Sequence, residues 1–379
     1  MADKIRVALL TQTIDGRSAA GTALGARKCV EVLLQHRDEF ELTFIHYEPC
    51  DDPIYRQGVR EIIFPRFRFR FFNRRSVRQI WYFLTTKDRF DIVHWFQPRL
   101  YPFFWRAPAR HLVVTVHGAG DVKKENPFVF TRHVYNWVLK LFKHKVTVAI
   151  VGSEYAKRDV IHEYGFTPAQ VRVVNNGVDP LFAPATAERV QRVRGKYGLP
   201  EKFFLGVARL IPNKNVMRTL RAFLLFADSH GAEDVYFVNI GAQGSEKAAV
   251  EELIRSASAG SRIRLQGFVD EEDLPAFYTG SIALVFPLQN EGFGLPAIEA
   301  MACGTAAVIS NTALPELTNK EAVLVDPLDE QDIARGMREV WSDPALRARL
   351  IEGGLTKARQ FTWQKTGNKV LDIYRDLMR

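Results

Sequence analysis

The sequence predicts an α/β protein made of two doubly wound domains, each a parallel sheet covered by helices on both faces, with a cleft between them. Three observations carry this. Short apolar runs alternate with amphipathic stretches along the whole chain. That alternation is interrupted by the loop-forming segment Asn175-Asn-Gly-Val-Asp-Pro-Leu-Phe-Ala-Pro-Ala-Thr186. The length, 379 residues, also exceeds what one hydrophobic core usually serves.

In the first half, apolar runs at Ile5–Leu10, Leu42–His46, Ile92–His94, Val113–His117, Val146–Gly152 and Arg172–Val174 predict strands. Helical periodicity falls on Ala23–Gln35, Val77–Thr85, Val129–Lys143 and Tyr155–Tyr164. Continuous apolar strands joined by helical crossovers indicate parallel sheets buried on both faces. The second half repeats the pattern. Its strands fall at Phe203–Val207, Val235–Ile240, Ile263–Gln266, Ile282–Phe286, Ala306–Ile309 and Ala322–Val325. Its helices fall at Val216–Asp228, Glu246–Ser258, Pro296–Ala302 and Glu330–Trp341, and a last helix covers Trp363–Met378. The expected division is residues 1–180, residues 181–360, and a C-terminal helix, 361–379, that packs back on the first domain. Ligands of such folds bind at the carboxyl ends of strands, in clefts between domains.

Composition narrows the function classes. Hydrophobic residues are 47% and charged residues 25%, as in an ordinary globular protein. The three cysteines, Cys29, Cys50 and Cys303, are scattered, which argues against a disulfide framework or a thiolate zinc site and fits a reducing, cytoplasmic setting. The opening Met-Ala-Asp-Lys-Ile-Arg-Val-Ala-Leu-Leu10 reads as a first strand, not a signal peptide. The sequence holds no apolar run of about 18 residues, so no membrane-spanning helix is expected. Charge is uneven. Residues 1–175 carry 28 Lys and Arg against 17 Asp and Glu, a balance of +11, while the remainder is at −2. A basic first half points to an anionic partner.

The densest signal is Phe286-Pro-Leu-Gln-Asn-Glu-Gly-Phe-Gly-Leu-Pro-Ala-Ile-Glu-Ala-Met-Ala-Cys-Gly304. A strand ends, a glycine-rich loop follows, and a helix opens with Pro296 where a missing N–H costs nothing. The amides of Gly292, Phe293, Gly294 and Leu295 can approach an anion closely at this helix N-terminus. Glu291 in the loop and Glu299, expected in the first helical turn, would repel phosphate but suit sugar hydroxyls, one for each sugar of a nucleotide-sugar. Gly292-x-Gly294-x-x-Ala297 with Glu316 also fits a dinucleotide fingerprint. Its late position and Pro296, which removes an amide from the phosphate site, argue against that reading.

This segment resembles the retaining glycosyltransferases of the GT-B fold, in particular family 4, whose glutamate pair is separated by seven residues as Glu291 and Glu299 are. Phe204-Leu-Gly-Val-Ala-Arg-Leu-Ile-Pro-Asn-Lys214 resembles the family's strand-Arg-Lys element, which implies Arg209 and Lys214 as ligands of the donor diphosphate. The family usually has Gly after that Lys; this chain has Asn215. Asn239-Ile-Gly-Ala-Gln-Gly244 and Leu265-Gln-Gly-Phe-Val269 are similar to the family's loops around the base, implying Gly241 and Val269. His117 matches a family histidine near the reacting sugar, though Gly118 stands where an Asp often follows and Asp121 comes later. The first loop is expected to carry a glycine at the diphosphate or acceptor, with Gly21 ahead of Gly16; Arg17 reads as a solvated surface residue ahead of a supplement to the phosphate site.

The resemblance implies transfer of a hexose from a UDP- or GDP-sugar with retention of configuration, without metal or cofactor, to a glycan or lipid-linked acceptor. Glu291 and His117 would then be catalytic. An epimerase of the same fold, a pyridoxal-phosphate phosphorylase and a non-catalytic scaffold are the rivals. The second rival needs a Schiff-base lysine that the sequence does not mark. The intact donor residues argue against the third. Arg66-Phe-Arg-Phe-Arg-Phe-Phe-Asn-Arg-Arg75, Arg99-Leu-Tyr-Pro-Phe-Phe-Trp-Arg106 and Lys140-Leu-Phe-Lys-His-Lys145 mix cations with aromatics. They suit an anionic membrane surface, or a half-buried strand with a solvated Arg face; no nucleic-acid module accompanies them.

Overall fold

The computed structural model describes residues 4–15, 21–66, 75–96, 103–117, 129–228, 232–289, 292–312 and 320–379, with backbone alone at 21–22, 75–76, 129–133 and 135–136. The chain separates into two compact units: residues 1–177 with 363–379, and residues 178–362.

In chain order the first unit runs β1 (Ile5–Leu10), α1 (Gly21–Leu33), β2 (Phe40–His46), β3 (Arg60–Ile63), α2 (Arg75–Thr85) and β4 (Phe90–Trp95). It continues with β5 (Ala109–Thr115), α3 (Val129–Phe142), β6 (Val148–Val151), α4 (Glu154–Tyr164) and β7 (Val171–Val173). The second unit holds α5 (Ala187–Tyr197), β8 (Phe203–Val207), α6 (Val216–Ala227), β9 (Tyr236–Ile240), α7 (Lys247–Ser256) and β10 (Ile263–Gln266). It ends with α8 (Leu274–Gly280), β11 (Ala283–Phe286), α9 (Leu295–Ala302), β12 (Ala306–Ser310), β13 (Val323–Val325), α10 (Glu330–Ser342) and α11 (Pro344–Ala358). The last helix, α12 (Trp363–Met378), returns to the first unit.

Among the described residues each unit contains one parallel sheet, ordered β3-β2-β1-β4-β5-β6-β7 and β10-β9-β8-β11-β12-β13. The strand direction of travel reverses between β1 and β4 and again between β8 and β11, where a doubly wound sheet opens a crevice at its carboxyl edge. The central strands are buried on both faces, which explains their unbroken apolar runs: Val7 to Leu10 and Ala306 to Ile309 are all almost fully covered. Val7 and Leu9 pack with α1, whereas Ala8 and Leu10 pack with residues of α2, α3 and α4.

Four elements have no clear sequence signal. β3 is an edge strand whose Arg60, Glu61 and Ile63 are exposed or half-exposed, so it shows no apolar run. The polar helix α5 buries only Val193, and α8 and α11 likewise lack a clean stripe. Caps place several of these ends. Thr186 Oγ1 accepts from Arg189 N at α5, and Asp343 accepts from Leu346 N at α11 beside Pro344.

Polar anchors join α12 to the first unit. Tyr374 Oη lies 2.6 Å from His94 Nδ1, whose Nε2 lies 2.8 Å from Thr115 Oγ1. Burial drives His94 down to about 3, so its ring is neutral and one nitrogen donates while the other accepts. Arg375 grips Glu39 with two bonds of 2.9 and 2.7 Å. Where α12 meets α1, a Cβ on Gly367 would stand 2.4 Å from Val32 Cβ. Gly367→Ala should therefore destabilise by about 1–3 kcal/mol through overpacking, although Ala is ordinarily about 1 kcal/mol better inside a helix. Thermal melts should show a drop of several degrees, partly restored by adding Val32→Ala; an unchanged or raised melting temperature would contradict this packing.

Candidate functional site

The carboxyl edge of the second sheet gathers most of the residues marked by sequence. β11 ends at Phe286, and α9 begins at Leu295. Gly294 adopts φ 81°, a left-handed conformation that a side chain would strain, and its carbonyl accepts from Ala297 N at 3.0 Å. Gly304, at φ 70°, follows the helix's far end. Phe293 turns its ring into the core against Phe361, at 5.5 Å between centroids, so only its backbone faces the loop's chemistry. Gly292 and Leu295 are half-buried. Glu291, with Asn290, lies outside the described residues, as does Glu316.

Glu299 is not in the first helical turn, as the sequence suggests, but in the second, because α9 starts only at Leu295. A simple first-turn dipole role is thereby excluded. The residue is half-buried while its carboxyl lies deep. Tyr278 Oη, from α8, donates to Glu299 Oε2 at 2.8 Å. Burial pushes the carboxyl up to about 7; the Tyr278 hydrogen bond opposes this, and the charges of Glu271 and Asp179 add to it. Burial, reinforced by the Glu299 charge, in turn raises the Tyr278 phenol well above its usual value, keeping it a donor. A carboxylate offers about four acceptor positions, so most of Glu299 is left for a ligand such as a sugar diol.

Across the strand-order reversal, β8 leads to Arg209, whose side chain is exposed. Its backbone is clamped: Ala208 N and Leu210 N donate to Ile240 O and Gln243 O, each at 3.0 Å, and Glu246 N donates to Leu210 O at 2.9 Å. Gly244 permits this clamp, because a Cβ there would lie 2.0 Å from Leu210 O. Gly241 has φ 89° and also approaches Ala208 O. Lys214 ends a 3-10 turn, half-buried, and lines a small pocket with Asn239, Phe286 and Pro287. Val269 is buried, while its neighbour Phe268 is 83% exposed.

Asn215 matters more than its sequence position suggests. It sits at φ 54° and ψ 25°, where Asn is among the few side-chain-bearing residues tolerated. Its Nδ2 donates to Pro287 O and Pro327 O at 2.8 and 2.7 Å, and its Oδ1 accepts from Arg218 and Gln289 at 2.7 and 3.3 Å. The loops after β8, β11 and β13 are thus tied by one carboxamide. Neither Asn215 nor Tyr278 carries a motif that would have marked it. Only the replacement of the expected Gly by Asn, which shares its tolerance of positive φ, hinted at the first.

In the first unit, His117 follows β5, half-buried, and lines a pocket with Cys29, Phe96, Thr115, Asn176 and Thr366. Gly21 is the first residue of α1. Gly16, Arg17, Gly118 and Asp121 lie outside the described residues. So do residues 67–74 and 99–102 of the basic aromatic stretches. The remaining aromatics of the second stretch are largely internal: Phe104 is fully buried, and Trp105 stacks on Phe142 at 3.9 Å.

Comparison with known proteins adds to this geometry. The family profile described as Glycosyl transferases group 1 matches residues 190–357, and that described as Glycosyltransferase Family 4 matches residues 29–181. A serotype-specific mannosyltransferase WbdA of Escherichia coli is 31% identical over 233 residues, which are 60% of this chain and 28% of that protein. An O-antigen chain mannosyltransferase B of Escherichia coli is 27% identical over 225 residues, 59% of each chain. The chain therefore spans less than two thirds of the length of either relative. Among solved structures, Anabaena HepE in complex with UDP and glucose superposes with a TM-score of 0.76 at 16% identity, covering 98% of this chain and 100% of that one. With one profile of the family on each half of the chain and the fold shared over nearly all of it, the chain belongs to the family-4 glycosyltransferases of the GT-B fold.

Proposed function

We propose that this protein transfers a hexose, with retention of configuration and without a metal ion, from a nucleotide-diphosphate-sugar to a glycan or lipid-linked acceptor. The observation that carries the reading is Glu299: a deep carboxyl, held by Tyr278, one turn into the helix that follows the glycine turn at the end of β11. In this reading Glu299 accepts the ribose hydroxyls and Glu291 those of the transferred sugar. Arg209, Lys214 and the amides from Gly292 to Leu295 neutralise the leaving diphosphate, the largest charge that develops in the reaction. His117 is given a role at the reacting sugar, as the family resemblance implies. The leaving phosphate takes the acceptor proton on the same face, so no protein nucleophile is needed. HepE is a structural neighbour holding UDP, and the two relatives are mannosyltransferases, which makes a nucleotide-linked mannose the first donor to try.

The ionisation of Glu299 supplies a test. Ribose hydroxyls donate to a carboxylate better than to a neutral acid, and the diphosphate of a nucleotide-sugar does not titrate near neutrality. With the carboxyl at about 7, donor affinity should fall about tenfold from pH 8 to pH 6. Glu299→Gln should bind more weakly at pH 8 and show no such slope. Calorimetric titration with GDP-mannose and UDP-glucose measures this; a wild-type affinity independent of pH would sink the role given to Glu299. The same shift has a stability consequence of fixed sign. An acid whose pKa is higher in the folded chain favours folding below its usual value of 4.5 and loses that contribution as pH rises through 7.

We also propose that the first unit rests on an anionic membrane surface. Trp81 and Leu84 on α2, and Val134, Trp137 and Leu141 on α3, are exposed at helical spacing, Trp137 at 66%. Tyr82, Phe83 and Leu139 turn inward from the same two helices into one core with Val93 and Val114, so both stripes point away from the same sheet face. Lys140, His144 and Lys145 are exposed beside the α3 stripe. Two aromatic-aliphatic stripes with cations suit the headgroup region. The protein should sediment with phosphatidylglycerol-containing vesicles but not with pure phosphatidylcholine. Trp137→Ser with Leu141→Ser should reduce that binding several-fold without lowering the melting temperature. Equal binding to both vesicle types, or by both proteins, would contradict the surface.

A further inference from the structure

The turn after β1 is held by buried polar groups on its β2 side. Thr11 N donates to Ile45 O at 3.0 Å, and Ile14 N donates back to Thr11 O at 2.7 Å. The Tyr55 hydroxyl lies 2.9 Å from both Thr11 Oγ1 and Asp15 Oδ1, and Tyr47 N donates to Asp15 Oδ2 at 3.3 Å. His46 stacks on Tyr55 at 4.5 Å between ring centroids. Its Nδ1 lies 3.2 Å from Asp15 and its Nε2 3.1 Å from Glu61. Burial alone would lower the imidazole; Asp15 and then Glu61 outweigh it and hold it above its usual 6.5. Two carboxylates against one imidazole leave this end of the turn with a net negative charge whether or not the ring is protonated.

Gln12 stands apart from that network. It is only 5% exposed, yet neither its Nε2 nor its Oε1 meets a protein partner among the described residues. The neighbouring Thr13 Oγ1 is buried and unpaired as well. Leaving such a group unsatisfied costs on the order of 1–3 kcal/mol, and the backbone that presents it is fixed by the bonds above. β1 is also the strand at which the sheet order reverses, next to β4, where a ligand crevice opens. A carboxamide offers a donor and an acceptor without charge, which matches a hydroxyl. Being uncharged, it gives a phosphate no counter-charge.

We propose that Gln12 is a specificity-determining residue: its carboxamide, with Thr13 beside it, hydrogen-bonds hydroxyls of a neutral sugar, the acceptor, at the carboxyl end of β1. The assignment of that sugar as acceptor rests on the glycosyltransferase reading; the assignment of a neutral polyol to Gln12 does not.

Titration of the full chain, without nucleotide, with methyl α-glycosides of mannose, glucose and galactose tests it, following the Gln12 side-chain amide in glutamine-labelled protein by NMR. At least one glycoside should shift that signal. The same glycoside should bind Gln12→Met at least about tenfold more weakly, a loss of about 1.4 kcal/mol. Gln12→Met should melt at or above the wild-type temperature, because an unsatisfied buried amide has been replaced by an apolar chain of similar size. Three results overturn the proposal: no glycoside moves the Gln12 signal, both proteins bind equally, or Gln12→Met melts well below wild type and so reveals a structural role. A wild type that fails to bind any nucleotide-sugar counts against the glycosyltransferase reading alone, since the glycoside titration contains none.

Discussion

Three loops of the second unit meet at one buried carboxamide. Asn215 occupies a left-handed backbone position that would otherwise call for glycine, and uses all of its side-chain hydrogen-bonding capacity on Pro287, Pro327, Arg218 and Gln289. Because the loops after β8, β11 and β13 come from non-consecutive strands, no local sequence preference could fix their relative positions. The Asn215 bonds do so, and the close approach allowed by Gly244 adds the loop after β9 to the loop after β8. Arg209 and Lys214 are consequently presented on a backbone that is already ordered. An ordered backbone of this kind is what the proposed stabilisation of a leaving diphosphate asks of the loop, because less reorganisation is then left to the moment of reaction.

Electrostatics then separates the roles of the groups. The cations lie on the loop after β8, whereas Glu299 lies within α9 under the Tyr278 hydroxyl. A deep carboxyl that also feels the charges of Glu271 and Asp179 would be poorly suited to phosphate and well suited to hydroxyls. The first unit shows a similar contrast: a negative polar network at Asp15, His46 and Glu61 behind the β1 turn, and exposed cations beside the α3 stripe. The net positive charge of the first half is therefore a property of its surface and does not describe every part of it.

Much of the fold was legible in the sequence because parallel strands buried on both faces leave continuous apolar runs, as at Val7 to Leu10 and Ala306 to Ile309. The glycine turn before α9 was legible because its positive φ at Gly294 demands glycine. What escaped shares a physical cause: it depends on partners distant in sequence. The Tyr278–Glu299 bond spans two helices, and Asn215 reaches Pro327 across 112 residues. The turn-by-turn position of Glu299 escaped because a Pro near a helix start fixes it only to within a residue or two. Edge strand β3 and helix α5 escaped because neither buries a full face. The aromatics Phe104 and Trp105 look like surface anchors in one dimension, and only the folded chain shows that Phe104 is core and that the half-buried Trp105 stacks on Phe142.

The most direct measurement is a thermal-shift panel of UDP-, GDP- and ADP-sugars in the presence of EDTA, run on the wild type and on Glu299→Ala. A ligand that binds only the folded state must raise its melting temperature. The account predicts a clear shift by one nucleotide-sugar with EDTA present, and its loss in Glu299→Ala. No shift by any of them, or a shift that survives in Glu299→Ala, would contradict the claim that this carboxyl holds a nucleotide-sugar donor without a metal.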